Sequence, residues 1–287
     1  MMSTTSRIIL LNKESGVTSF TALNKVKKTF GRKVGHAGTL DKFAQGLLIV
    51  LTGAMTKLNP LFSSMDKSYR AHILFGSETD TLDPEGRVIA TGEIPSFEAV
   101  REAIQSFDGE MLQTPPIYSA LHVGGKRASA LARKGRLVEL DSRPIRIDSF
   151  EVVSYEDGVL CADIRVSKGT YIRSIARDLG LAVSSRAHLV ALVRTSIGPF
   201  VLSEATEVDE HVDLTNDYLS RLEQMALATV SDDQLFPLAN GRYPDHYDLN
   251  KDGSDYIAFY SGDGVLRAVG NKTEQRLIAQ VYRGGAV

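Results

Sequence analysis

Cysteine occurs once, at Cys161, so no intrachain disulfide can form and the expected compartment is the cytoplasm. No run of about 18 apolar residues occurs, so no helix is expected to span a membrane. Residues Met1 to Leu11 carry one arginine and a short apolar run without a small-residue cleavage site. Ile8-Ile9-Leu10-Leu11 therefore reads as a strand, not a signal peptide. Histidines stand at positions 36, 72, 122, 188, 211 and 246, with no pair at metal-ligand spacing. The P-loop pattern and the Gly-x-Ser-x-Gly elbow are both missing. Whatever chemistry the chain performs is expected to need neither metal nor other cofactor.

What is present is enough for one large domain plus a small one, or two medium ones: 287 residues, 43% of them apolar. The net charge of −2 hides a segregation. Residues 1–60 hold 9 basic and 2 acidic groups, a net +7, whereas residues 205–287 hold 7 basic and 14 acidic, a net −7. Leu121 to Val138 adds Lys126, Arg127, Arg133, Lys134 and Arg136 without a carboxylate. Such segregation points to a local polyanion site on a protein that is not basic overall. Two solvated helix faces are the plain alternative.

Apolar spacing and turn residues outline the elements. Arg7 to Leu11 reads as a strand. Thr18 or Ser19 caps a helix to about Phe30, with Phe20, Leu23, Val26 and Phe30 on one face and Lys25, Lys27 and Lys28 on the other. Ala44 to Leu51 is apolar throughout and too short to assign by period. Tyr69 to Phe75 alternates as a strand. Asp83-Pro84-Glu85-Gly86 is a turn leading to a strand at Arg87–Thr91. Ser96 caps a helix with Phe97, Val100, Ile104 and Phe107 inward, and Lys126 to Lys134 reads as a short basic helix stopped by Gly135. Ile145–Tyr155 and Val159–Ser167 form a hairpin around Asp157-Gly158. Tyr171 to Val183 is helical and His188 to Thr195 a strand. Beyond Ser203 the composition turns acidic, and short strands follow at Tyr256–Tyr260, Val265–Val269 and Leu277–Tyr282. Strands and helices without βαβ regularity predict an α+β fold on a mixed, largely antiparallel sheet flanked by helices. A boundary near 230 divides a larger domain, 1–230, from a small β-rich domain, 231–287.

Several polar segments are denser in Gly, Arg, Lys and aromatics than a turn requires. They are Lys13 to Ser19, Val34 to Leu48, Asp66 to Arg70, Gln113 to Leu121, and Val166 to Gly180. Within them, Gly38-Thr39-Leu40-Asp41 and Ser167-Lys168-Gly169-Thr170-Tyr171-Ile172-Arg173 resemble the signature of the TruB family of bacterial tRNA pseudouridine synthases. The resemblance runs in order from about Ile8 to Phe200. It implies the pseudouridine synthase fold with a PUA-like C-terminal domain. It also implies isomerisation of uridine 55 in the tRNA T-loop, by base flipping and an aspartate nucleophile, with no cofactor.

The residues fit that chemistry. Isomerisation breaks the N-glycosidic bond, turns the uracil and rejoins it through C5, so it needs one ionised nucleophile, a slot for a flipped base and a firm grip on RNA. Asp41 is the only carboxylate in its glycine-rich segment; its alternative role is a cap on a following helix. By the resemblance, Arg173 pairs with Asp41, Tyr69 stacks on the base, and His36 fills the space that the extruded nucleotide leaves. Leu192 lines the uracil pocket, and Lys13 supports the site. Lys126, Arg127, Arg133 and Lys134 suit phosphate contact. The expected partner is the tRNA T-arm, with no membrane and no obligatory protein partner, the chain acting as a monomer. The chain departs from the family at Lys42-Phe43, where Pro usually follows the aspartate, at Glu14 where Pro is common, and at Val193 where a basic residue is common. Two rivals stay open: an enzyme of the same superfamily acting on another RNA, and a tRNA-folding factor that binds without turnover.

Overall fold

The computed structural model describes residues 6–119, 121–123, 125–132, 140–206, 208 and 213–281. The chain enters through β1 (Ile8–Lys13) and α1 (Ser19–Phe30), then β2 (Val34–Ala37) and β3 (Gln45–Thr52). The Thr18 hydroxyl caps α1 by accepting from Thr21 N at 3.0 Å. The apolar run that period alone could not assign is β3. It is buried at seven of its eight positions because both its faces are covered. Leu48 and Val50 meet Leu23 and Val26 of α1. Leu47, Ile49 and Leu51 face the opposite way, into a cluster with Met55, Phe62 and Phe200.

After α2 (Asn59–Ser63) come β4 (Lys67–Phe75), the hairpin of β5 (Ser77–Thr79) and β6 (Val88–Thr91), α3 (Phe97–Ile104) and β7 (Gly109–Gln113). A short ribbon of β8 (His122–Val123) and β9 (Lys126–Arg127) runs into α4 (Ala128–Ala132). The long hairpin of β10 (Arg143–Glu156) and β11 (Val159–Val166) follows, then α5 (Ile172–Ala182), β12 (Ala187–Ile197), β13 (Phe200–Val201) and α6 (Thr215–Ser220). The main sheet runs β1-β3-β12-β4-β11-β10-β7, with β2 paired to β3 and β13 to β12. Its described pairings are antiparallel except β12 with β3, which is parallel. This is the α+β architecture that the element pattern predicts.

At that parallel pairing the strands nearly touch. Gly46 pairs with Lys13 on one side and Arg194 on the other. Its φ is 113°, and a Cβ there would lie 2.4 Å from the Arg194 carbonyl oxygen. Gly46→Ala is therefore expected to cost about 1–3 kcal/mol through strain and displaced backbone. The thermal midpoint should fall by about 2–12 °C; an unchanged midpoint would show that β3 and β12 separate freely.

A second sheet, ordered β15-β14-β16-β17-β18, holds β14 (Met225–Val230), β15 (Asp248–Leu249), β16 (Tyr256–Ser261), β17 (Leu266–Asn271) and β18 (Arg276–Gln280), with α7 (Asp232–Ala239) between the first two. Met225, Ala258, Tyr260 and Val269 share one buried cluster with Ile49, Phe62 and Phe200. The two sheets are thus joined by a common apolar core.

Three expectations need correction. Phe20 is not inward: its side chain is 68% exposed. The buried stripe of α1 is Ser19, Leu23 and Val26, and a residue one step from Ser19 is turned about 100° off it. Phe97, likewise expected inward, is 38% exposed and lies against the Tyr155 ring at 5.9 Å. Lys126 and Arg127 are extended, not helical, because Gly125 at φ 77° turns the chain back so that they pair with Val123 and His122. The side chains of Lys126 and Arg127, and residues Arg133, Lys134, Arg136 and Tyr282, lie outside the described residues.

Candidate active site

A loop, two strands and a helix start meet at one cavity. Asp41 sits in the loop between β2 and β3, Tyr69 on β4, Arg173 in the first turn of α5, and Leu192 on β12. Tyr69 and Leu192 lie on adjacent strands, two residues apart in register, Tyr69 opposite Arg194 and Leu192 opposite Ala71. All four line a cavity of about 520 Å³, together with Lys67 and Arg194. That size is within the about 300–1,000 Å³ of small-molecule pockets. Asp41 does not cap a helix, since a strand follows it.

Arg173 is 5% exposed and grips both sides of the site. Its Nη2 donates to Asp41 Oδ1 at 3.0 Å, and its Nε lies 2.9 Å from Oδ2. Nη1 donates to the Thr81 carbonyl at 3.0 Å and to Asp83 Oδ2 at 3.3 Å, and Nη2 also reaches the Tyr118 carbonyl at 3.1 Å. A forked guanidinium fixes the carboxylate plane as well as its charge. Burial pushes the Asp41 carboxyl above the ordinary aspartate range; Arg173 pulls it back, and Asp83 pushes it up again. Burial and Asp83 thus oppose the Arg173 cation that favours the ionised carboxylate.

Asp83 was not visible as a site residue, because Asp83-Pro84-Glu85-Gly86 is complete as a turn. Its Oδ1 accepts from the Thr81 hydroxyl at 2.5 Å and from Glu85 N at 3.1 Å. Just before it, Leu82 holds φ 62°, a conformation that bulky L residues avoid. Its buried side chain and a bond from Leu189 N to its carbonyl at 3.2 Å keep it there.

The loop after Asp41 is fastened from the N-terminal side. Lys13, 1% exposed, donates through Nζ to the carbonyls of Val17 at 2.7 Å and Ala44 at 2.6 Å, with Glu14 O at 2.9 Å and Lys42 O at 3.4 Å. Burial, then Arg194, lowers its pKa to about 8, with Asp41 pulling it up. Gly16 N donates to Lys42 O at 2.8 Å, and Ser15 Oγ to Phe43 O at 2.6 Å. These bonds supply the rigidity that a proline would give by fixing φ. Lys42 itself points outward to Glu85 at 2.8 Å, and Phe43 packs on the main core. The departure from the family pattern leaves Asp41 facing Arg173.

Three cations in the cavity lining, Lys67, Arg143 and Arg194, escaped notice, since a lone Lys or Arg in a strand carries no signal of its own. Lys67 donates to Ser63 O at 2.7 Å and Met65 O at 2.5 Å, and burial, then Arg194, lowers its pKa to about 8. Arg194, 1% exposed, donates through Nε to Leu47 O at 2.7 Å and through Nη2 to Gly38 O at 3.1 Å. His36 and Lys13 are not in the cavity lining. His36 lies on β2 opposite Val50, with Nδ1 buried and unpartnered. Burial and then Arg194 lower its pKa, which keeps it neutral at pH 7. Among the described residues no group of three His, Cys, Asp or Glu is placed to hold a metal.

The chain is similar to known proteins in sequence and in fold. Residues 25–172 match the model of the TruB family pseudouridylate synthase N-terminal domain. The chain is 41% identical over 239 residues to a protein of Borreliella burgdorferi called tRNA pseudouridine synthase B, covering 82% of this chain and 85% of that one. A Mycobacterium protein of the same name is 43% identical over 213 residues, 72% of each. Among solved structures, a chain from a Cbf5-Nop10-Gar1 complex has a TM-score of 0.66 at 22% identity, over 96% of this chain and 84% of that one; at this identity the likeness shows the fold.

Proposed function

The chain belongs to the TruB family of pseudouridylate synthases, and from that premise we propose that it isomerises uridine 55 in the T-loop of tRNA, with Asp41 as nucleophile. It is an isomerase, and tRNA is the substrate that its relatives' names give them. The observation that carries the assignment of roles is the Asp41 carboxylate held on Arg173 at the wall of a cavity shared with Tyr69.

In this mechanism the target uridine leaves its stack and enters the cavity. Tyr69 stacks against the ring and Leu192 supports it from the neighbouring strand. The ionised Asp41 attacks or stabilises the substrate while the bond between the ribose C1′ and N1 breaks. The uracil turns, C1′ bonds to C5 as any bond to Asp41 is released, the proton on C5 departs and N1 takes up a proton, so the product is an isomer of the substrate. Arg173 holds Asp41 ionised and aimed throughout. Lys13 orders the loop, and His36, outside the cavity, occupies the gap in the RNA stack. The C-terminal sheet serves as a reduced PUA-like module, and the chain works in the cytoplasm without an obligatory protein partner. Tritium released from a T-arm transcript carrying C5-tritiated uridine tests the assignment. Release with burst or steady turnover is expected; RNA binding without release would favour a folding factor.

Lys126 and Arg127 are proposed to meet RNA phosphates. Replacing both with Ala should lower the slope of log affinity against log salt by about 1–2, two phosphate contacts at about 0.7–0.9 each. An unchanged slope would remove the β8–β9 ribbon from the interface.

A further inference from the structure

We propose that the solvent face of α1 is a stacking platform for an unpaired base of the RNA substrate, built from the Phe20 ring under the Lys27 ammonium. This rests on the chain acting on RNA. Phe20 lies outside the buried stripe of its helix and is 68% exposed, so packing does not explain it. The Lys27 Nζ stands 3.9 Å from the ring centroid, within cation–π range. One cation and one aromatic ring are thus preset side by side, the combination that binds bases and their phosphates with little sequence preference.

The charge around the ring suits a polyanion. Between Glu14 and Asp41 the chain carries Lys25, Lys27, Lys28, Arg32 and Lys33 and no carboxylate. The platform is also tied to the candidate nucleophile. The Ser19 hydroxyl accepts from Leu40 N and donates to Leu40 O, both at 2.9 Å. Phe20 follows Ser19 and Asp41 follows Leu40, so the start of α1 and the loop that carries the carboxylate are joined through one hydrogen-bonded pair. RNA whose uridine enters the cavity brings its neighbouring nucleotides past this helix. Splayed loop bases are the parts of folded RNA that stack on aromatic side chains.

The chain has no tryptophan, so Phe20→Trp places a single tryptophan, excited selectively at its red edge, on the platform. A T-arm hairpin is titrated against this variant, and against Phe20→Ala and Phe20→Leu by anisotropy of a labelled hairpin. The platform predicts that hairpin binding quenches the Trp emission, and that Trp retains wild-type affinity to within about twofold. It predicts that Ala and Leu bind about 5- to 150-fold more weakly, the loss of one stacked base, with the loss in KM and not in kcat. Unaltered thermal midpoints would exclude unfolding as the cause. Wild-type affinity in Phe20→Ala, or Trp emission unmoved by saturating hairpin, overturns the platform. If the wild type binds the hairpin without releasing tritium, the assignment to uridine 55 fails while the quench still supports the platform.

Discussion

Asp41→Asn is expected to abolish turnover, with tritium release at least about 10³-fold below wild type, while T-arm binding stays within a few-fold. Asparagine keeps the shape and can still accept from the Arg173 Nη2 that lies 3.0 Å from Oδ1. It lacks the charge needed for attack on carbon or for stabilising a cationic sugar. Loss confined to kcat marks an interaction made in the transition state and not in binding. Retained release in the Asn variant would sink Asp41 as nucleophile. In the wild type the acid limb of kcat/KM reports the same carboxyl. Because burial and Asp83 raise its pKa, activity should fall on acidification at a pH above the ordinary aspartate range. Asp83→Asn removes one of the raising charges, so that limb should move to lower pH.

Arg173→Met should damage both activity and stability. The side chain is 5% exposed and is the cation facing both Asp41 and Asp83. Removing it leaves two negative charges in a confined site, a loss of about 3–5 kcal/mol when one partner of a buried pair is deleted. A thermal midpoint lower by about 6–20 °C follows for a chain of this size. The deficit has a sign in pH. Without the guanidinium the Asp41 pKa rises further, and a carboxyl whose folded pKa exceeds its unfolded value loses stability as pH rises through the folded value. The variant should therefore be most unstable at neutral to alkaline pH and recover towards pH 4. Adding Asp83→Asn to it should restore part of the midpoint without restoring turnover. A midpoint equal to wild type at pH 8 would show that Arg173 does not neutralise these carboxylates.

The legible parts of the molecule were those with a local signature. Alternation placed β4, the Asp157-Gly158 turn placed the β10–β11 hairpin, and Ser96 and Thr18 placed the starts of α3 and α1. Asp41 stood out as the only carboxylate of its glycine-rich segment, and Tyr69 and Arg173 through the family resemblance that their polar segments carry. Asp83 did not, since its turn role accounts for it; only the fold brings its Oδ2 to an arginine 90 residues on. Arg194 and Lys67 were hidden for a related reason. Each lies within a strand, and what makes it a site residue is a set of carbonyl partners from other segments. Phe20 was misplaced because an apolar residue at the start of a helix fits two neighbouring stripes, and Ser19 takes the inner one by bonding to Leu40.

The strand order also bears on how the protein is made. In the main sheet β12 lies between β3 and β4, although β4 ends at Phe75 and β12 at Ile197. A growing chain therefore presents two apolar strands with open hydrogen-bonding edges until about 120 further residues have been added. At roughly 5–20 residues per second of synthesis, that interval is on the order of 6–25 s. Open edges of this kind recruit other chains. Termination before β12 is expected to yield an aggregation-prone product with no central strand, and β3 and β4 stay unjoined while about 120 of the 287 residues are made.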